Sequence, residues 1–414
     1  MKKAFKLFLK NRLEEGLEII DKLSSLNLSP KDKAKLKKVL EILLLGELLG
    51  LHTMSSILST FHITSNNLQK IWQGFDYEKI ALLANQISIT NFTKKIVELS
   101  KQSESSWSRA EVTIVIDDSI FKQWLKNMPI GGEFAKFFSG QTHSTVYGFR
   151  ITLLGVSIGD EFYPLYFYLS SKKEKTKEVA LKLLKKSRRL LKDIADNEGI
   201  SYPNLFLSVD SGFTDKDLIT YCERTGIVFI GVPRKNCKFI IGRYNLNLKN
   251  QIEKLYLKKE AVHNKTYEKK GLPTPFLLRK KANFKWLGKE VILLFFRLKD
   301  SKRVTVIFTT NLEVKAKTLR RRFFQRTKIE IFFRILKDTL KIQTSKSVDV
   351  ASFLKKLSLF IIKAMLCQDF MKFCQKNFKT FHKWAFTKLR HHLIYQQIGL
   401  EDLEKLVKTK GFAT

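Results

Sequence analysis

The chain has 414 residues, with 76 lysines and arginines against 39 aspartates and glutamates, and so a formal net charge of +37. A compact chain with this charge repels itself unless a polyanion is its usual partner, which favours a nucleic-acid-binding protein over one that binds anionic lipid. No stretch has the uninterrupted apolar length of about 18 residues that a membrane span needs, and the basic amino terminus lacks the apolar segment of a signal peptide, so we expect a soluble intracellular protein.

Residues 1–105 are predicted to form a helical amino-terminal domain, because apolar residues recur at helical spacing in LEEGLEIIDKL and KLKKVLEILLLGELLGL. Within it, TMSSILSTFHITSNNLQKIWQGF has two short amphipathic segments joined by a polar turn, the outline of a helix-turn-helix. The outward-facing residues of its second helix would be Asn66, Asn67, Gln69 and Lys70. Any short pair of helices gives a similar pattern, so a purely structural role stays an equal alternative.

From residue 111 the pattern becomes that of an α/β domain. Five short apolar or β-branched runs predict strands, namely EVTIVID, GFRITLLGVSI, EFYPLYFYL, NLFLSVD and IVFIGVP. Helical patterns lie between the last three runs, and another helix is predicted over residues 317–342. This order predicts a mixed five-stranded sheet flanked by helices, formed by residues 106–235 and 317–345.

Residues 236–316 interrupt this predicted domain. They contain the strand-like segments FIIGRYNL, KEVILLFFRL and RVTVIFTTN, which predict a β-rich insertion. Residues 346–414 are predicted to form a helical carboxy-terminal region.

Acidic residues follow directly on two of the predicted strands. Asp117 and Asp118 come at the end of the first, and Asp210 closes the fourth. A buried strand holds such a carboxylate rigidly, and the end of the strand faces a crevice, so the carboxylate is well placed for catalysis. A turn or cap is the simpler explanation for either position alone.

The last predicted helix carries a narrow charged row beside its apolar face. At roughly 100° per residue, Arg326, Glu330 and Lys337 fall within about 40° of one another. Phe323 lies about 60° from Arg326 by the same arithmetic. A solvated face with an Arg–Glu pair four residues apart explains this row on its own. Three acids, at two strand ends and on one helix of a strongly basic chain, are harder to explain as caps.

Cysteine and histidine spacing argues against zinc and disulfides. The four cysteines form no C-x-x-C pair, and the histidines form no H-x-x-x-H or H-E-x-x-H pattern. Any metal would therefore be held mainly by carboxylate oxygen, which favours Mg²⁺ or Mn²⁺.

Over residues 110–345 the sequence resembles the DDE transposases of bacterial insertion sequences, which have a ribonuclease H-like core. The closest likeness is to the cut-and-paste group related to insertion sequence four, whose third-acid helix carries Tyr, two residues, Arg, three residues, Glu, six residues and Lys. The residues at these positions are Phe323, Arg326, Glu330 and Lys337, with Phe in place of Tyr. The family's acidic pair before Ser or Thr is matched by IDDS, which favours Asp118 over Asp117 as the first acid.

The resemblance implies a transposase that binds the inverted ends of its element, cleaves them and joins the 3′ ends to target DNA. Asp118, Asp210 and Glu330 would be catalytic and would hold two Mg²⁺ or Mn²⁺ ions. The expected DNA contacts are Arg326, Lys337 and Phe323 on the helix, Trp286 in the insertion, and Asn66, Asn67 and Lys70 in the amino-terminal domain. For Trp286, a place in the core of the inserted sheet is the simpler explanation.

Further implications of the resemblance are double-stranded DNA as partner, a homodimer in the synaptic complex, and a cytoplasmic, nucleoid-associated protein. Two other functions stay open: a ribonuclease H-like nuclease or resolvase that uses the triad for hydrolysis alone, and a non-catalytic DNA-binding relative. The intact triad argues against the second. A contribution from Asp117 also stays open.

Overall fold

The structure is a computed structural model that describes residues 29–30, 77–102, 112–123, 132–139, 143–234, 237–241, 244–247, 276–297, 304–339, 342–343 and 349–377. The predicted helix-turn-helix, with Asn66, Asn67 and Lys70, lies outside these residues. So do residues 248–275 of the predicted insertion and residues 378–414 of the predicted carboxy-terminal region.

The described residues form eleven strands and six α-helices. The strands are β1 (Val112–Lys122), β2 (Phe134–Ser139), β3 (Ser144–Ile158), β4 (Glu161–Ser170), β5 (Leu205–Val209), β6 (Val228–Gly231), β7 (Lys238–Ile241), β8 (Tyr244–Asn247), β9 (Phe276–Phe284), β10 (Lys289–Arg297) and β11 (Thr305–Thr309). The helices are α1 (Tyr77–Gln102), α2 (Thr176–Asn197), α3 (Lys216–Arg224), α4 (Ala316–Phe324), α5 (Thr327–Arg334) and α6 (Val350–Asn377), with a π-helical turn (Ile335–Thr339) after α5.

The strands form one mixed sheet in the order β2-β3-β1-β5-β6-β11-β10-β9-β7-β8, with β4 also paired to β3. Its centre is parallel, because β5 pairs in parallel with both β1 and β6. The hairpins β3–β4 and β10–β11 are antiparallel. All five predicted strands are present, as β1, β3, β4, β5 and β6, and the mixed sheet flanked by helices is confirmed.

The sheet is larger than the predicted five strands because the insertion extends it. β11 pairs with β6, and β10, β9 and β7 follow in turn. A row of buried rings crosses these strands: Phe229 lies 5.5 Å from Phe308, Phe308 lies 5.2 Å from Phe284, and Phe284 lies 4.2 Å from Phe239, between ring centres. Burial of these rings favours one continuous sheet.

The helix predicted over residues 317–342 is broken. Between α4 and α5, the backbone N–H groups of Gln325 and Arg326 bond to carbonyls three residues back, at 3.1 and 3.0 Å, which tightens the turn. The Ser157 hydroxyl on β3 donates to the Gln325 side chain, and this contact holds the break against the β3–β4 hairpin. Lys337 lies in the π-helical turn. The angles calculated for one regular helix therefore do not apply to Phe323, before α5, or to Lys337, after it.

The chain divides into two compact units. One comprises Met1–Asn91, Phe121–Pro129 and Phe332–Thr414, and the other comprises Phe92–Ile120 and Ile130–Ile331. The second unit holds nearly all of the sheet together with α2, α3 and α4. No helix within the described ranges is long and apolar enough to cross a membrane.

Candidate active site

Two aspartates lie side by side at the carboxyl edge of the parallel strands. β1 and β5 pair in register, with Val115 opposite Ser208. Continued two residues, just past the end of β5 at Val209, the same register would set Asp117 beside Asp210. Side chains in register on neighbouring strands point to the same face of the sheet. The fold therefore brings together two carboxylates that are far apart in the sequence.

Helix α4 covers this face of the sheet. Arg322, on α4, is 1% exposed, and its Nη1 donates to Thr113 Oγ1 at 3.2 Å. Its guanidinium carbon lies 5.0 Å from the centre of the Phe206 ring. Thr113 and Phe206 are an in-register pair, four residues before Asp117 and Asp210. The helical segment that follows Arg322 therefore lies on the carboxylate side of the sheet.

Arg326 joins the strand to the helix. Its Nη1 lies 3.7 Å from Asp117 Oδ2, and its Nη2 lies 2.5 Å from Glu330 Oε1. The Arg326 and Asp117 side chains are only 18% and 14% exposed, whereas that of Glu330 is 41% exposed. The Arg–Glu pair that helix spacing predicts is thus formed. Asp117 is a second partner, which helix spacing alone does not reveal.

The Asp117 carboxyl is strongly perturbed. Burial and, after it, the charge of Asp210 raise the pKa of Asp117 from its ordinary 3.8 to about 8, against the lowering effect of Arg326. A bound cation would favour the ionised form of such a carboxyl. Strongly shifted acids of this kind are common at functional sites.

Asp118, the first acid favoured by the resemblance, is the next residue of β1. Successive strand residues alternate between faces, so we expect the side chain of Asp118 on the face opposite to that of Asp117. Its backbone N–H donates to Asp117 Oδ1 at 2.9 Å. The sequence gives little sign of this difference, because residues 112–116 are all buried and show no alternation.

Asp210 is held in place by a tight turn. Its Oδ1 accepts hydrogen bonds from the backbone N–H of Gly212 at 2.8 Å and of Phe213 at 3.3 Å. A Cβ atom at Gly212 would lie 3.1 Å from Asp210 Oδ1, so the position suits glycine. The turn role considered for Asp210 is therefore present together with its place beside Asp117. Gly212 is a supporting residue that the sequence prediction missed, although an Asp-x-Gly turn is its usual signal.

Phe323 lies in the core and not at a surface. It is 7% exposed, and its ring meets that of Phe296 edge-on at 6.1 Å. The Arg326 guanidinium carbon lies 5.7 Å from the centre of the same ring. The Phe323 ring therefore packs against the Arg326 guanidinium and has little exposed surface for DNA to contact.

Two further predicted DNA contacts, Trp286 and Lys337, have a described place. Trp286 is half-buried in the turn between β9 and β10, 5.5 Å from the Phe284 ring, with Lys216 Nζ at 5.8 Å from its own ring centre. Lys337 belongs to the other compact unit, where its Nζ lies 5.2 Å from the centre of the Phe121 ring.

Asp117, Asp210 and Glu330 offer only carboxylate oxygen, the donor that Mg²⁺ and Mn²⁺ prefer. A cation bound between Asp117 and Asp210 would offset the repulsion between their two carboxylates. As they stand, however, no three acidic, histidine or cysteine side chains of the described residues are grouped to hold an ion. Glu330 is turned to Arg326 instead, and it would have to leave that partner to complete a site.

Comparison with protein families identifies the family of the chain. The family model for the transposase DDE domain matches residues 153–365, just over half of the chain. The match contains Asp210, Arg326 and Glu330 but begins after β1, so it does not decide between Asp117 and Asp118. Comparison with curated proteins gives no match. Enzymes of this family cut and join DNA and generally use divalent metal ions. The chain belongs to the family of transposases with a DDE domain.

Proposed function

We propose that this transposase binds the inverted ends of an insertion sequence, cleaves them and joins the 3′ ends to target DNA. The observation that carries the proposal is the placing of Asp117 in register with Asp210 while Arg326 pairs with both Asp117 and Glu330. Membership of the group related to insertion sequence four is supported by the spacing of the helix residues alone.

We assign the first acid to Asp117 in place of Asp118. The strand register and the contact with Arg326 both support this choice. Asp210 and Glu330 are the second and third acids, as expected from the sequence.

The three carboxylates would hold two Mg²⁺ or Mn²⁺ ions, which would supply an activated attacking oxygen and stabilisation of the leaving oxygen. Asp117 and Asp210 are suited to this because strands and the Gly212 turn fix their positions before DNA arrives. Glu330, on the helix and more exposed, is the ligand that moves.

Arg326 is the residue that would meet the DNA backbone beside these acids. Its planar guanidinium donates several hydrogen bonds in a fixed geometry that matches a phosphate. Phe323 supports it within the core, and the buried Arg322 ties the same helical segment to β1 through Thr113. Lys337 stays a proposed phosphate contact on the family spacing alone.

The test uses supercoiled DNA carrying candidate element ends, with Mg²⁺ or with a chelator. We expect Mg²⁺-dependent cutting at the ends followed by joined products, and loss of both with Asp210→Asn or Glu330→Gln. Asp217→Asn, which removes an exposed carboxylate of α3, is the control and should stay active. Cutting without joining would favour the nuclease alternative, and binding without any cutting would favour the non-catalytic one.

A further inference from the structure

An antiparallel ribbon at the edge of the sheet has an exposed aromatic face. Among the described strands, β2 pairs with β3 alone, from Phe134 opposite Phe149 to Ser139 opposite Ser144. β4 takes over as the partner of β3 from Arg150 onward. β2 and the first half of β3 therefore form an antiparallel pair at the end of the strand order, and we call this pair the ribbon.

One face of this ribbon carries two rings and a cation. Lys136 stands opposite Tyr147, and Phe138 stands opposite Thr145, so all four share a face. Phe138 is 65% exposed and Tyr147 is 40% exposed, and Lys136 Nζ lies 5.8 Å from the centre of the Tyr147 ring. We call Lys136, Phe138 and Tyr147 the ribbon face.

The exposure of the ribbon face is not the result of a loose ribbon. On the opposite face Phe137 is 6% exposed, with the Arg150 guanidinium carbon 5.1 Å from its ring centre. Arg150 Nη2 donates to the carbonyl oxygens of Ser171 and Glu174 at 3.0 and 3.1 Å. The ribbon is therefore anchored on one side, and it presents Phe138 and Tyr147 on the other.

Exposed rings beside a cation suit unpaired bases, because every base has a face that stacks on an aromatic ring whatever the sequence. The net charge of +37 adds attraction for the phosphate backbone. Self-association through the edge strand fits less well, because Lys136 in the middle of a six-residue edge strand works against pairing with a second copy.

We propose that the ribbon face binds single-stranded DNA by stacking unpaired bases on Phe138 and Tyr147. The proposal rests on the proposed function, since cutting and joining DNA ends exposes unpaired nucleotides. β3 lies between β2 and β1, the strand that carries Asp117. Neighbouring strands are about 4.8 Å apart, so β2 lies about 10 Å across the sheet from β1.

The experiment measures the affinity of the full chain for a labelled single strand and for a blunt duplex of the same composition. Phe138→Ala and Tyr147→Ala should each weaken single-strand binding about 5- to 150-fold, with duplex binding close to that of the wild type. Phe138→Trp should keep the affinity. Tyr202→Ala, which removes a ring of similar exposure (36%) outside the ribbon, should change neither affinity. A 2-aminopurine in the strand should be quenched by the wild type and not by the alanine variants.

Equal loss of single-strand and duplex binding, or no loss of either, would overturn the proposal. So would an oligomer that dissociates on Phe138→Ala while single-strand binding is unchanged, because the ribbon would then be a self-association surface. Metal-dependent cleavage is measured separately. Stacking by the wild type without cleavage would refute the proposed function and leave the ribbon proposal standing. Cleavage without stacking would refute the ribbon proposal and leave the proposed function standing.

Discussion

Arg326 Nη1 lies 3.7 Å from Asp117 Oδ2, so the segment between α4 and α5 contacts the strand that carries the acidic pair. The same guanidinium holds Glu330. In the described conformation Arg326 therefore supplies the positive charge that divalent ions would supply in the active enzyme. Under the proposed function, divalent ions would compete with Arg326 for these carboxylates, and a DNA phosphate that binds Arg326 would free them.

Arg326→Gln should tighten Mn²⁺ binding in the absence of DNA, because the variant removes the competing cation. We expect the affinity for Mn²⁺ to rise about 5- to 150-fold, the range of a typical coupling between two sites. The affinity can be measured by titration calorimetry or from the electron paramagnetic resonance signal of free Mn²⁺. Arg334→Gln, which removes an exposed arginine of α5, is the control. Unchanged or weaker Mn²⁺ binding by Arg326→Gln would show that Arg326 does not compete with the metal.

The raised pKa of Asp117 makes the stability of the metal-free protein fall with pH. The folded protein keeps the proton up to about pH 8, whereas the unfolded chain releases it near 3.8. The stabilising contribution is therefore complete below about pH 3.8 and lost as the pH rises through about 8.

Thermal unfolding with a chelator tests this directly. Asp117→Asn should be more stable than the wild type at about pH 8, and Mg²⁺ should stabilise the wild type but not this variant. Asp160→Asn, which removes a fully exposed carboxylate, should follow the wild-type profile. A wild-type profile unaffected by Asp117→Asn would mean that Asp117 ionises normally.

Phe323→Ala should act through folding. Removing a buried phenylalanine costs about 3 to 5 kcal/mol of unfolding free energy, to be measured by urea unfolding. Phe138→Ala is the matched control, because its ring is 65% exposed and surface changes usually stay within about 0.5 kcal/mol. Normal stability of Phe323→Ala with impaired DNA binding would instead support the surface role implied by the resemblance.

The strands and the family were readable from the sequence because they depend on local signals. Short apolar runs ended by Asp or Pro identify β1, β5 and β6, and the Arg326–Glu330 pair expected from helix spacing is formed despite the break. The extension of the sheet was not readable, because the pairing of β11 with β6 joins distant residues. The predicted domain boundaries, the helix-turn-helix and the homodimer stay predictions.

The face on which each acid lies depends on long-range contacts. The apolar pattern does not show on which face Asp117 or Asp118 lies, because the strand before them is buried on both sides and gives no alternation. Only the register with β5 separates them. The break at Gln325 likewise involves Ser157, which is far away in the chain.

The most direct test of the account is Mg²⁺-dependent cleavage of element ends by Asp117→Asn and Asp118→Asn, with end binding measured on the same preparations. Each variant removes one charge and almost no volume, so each is the other's control. The account predicts that Asp117→Asn binds ends but does not cut them, while Asp118→Asn does both. Cutting by Asp117→Asn together with loss of cutting by Asp118→Asn would contradict it.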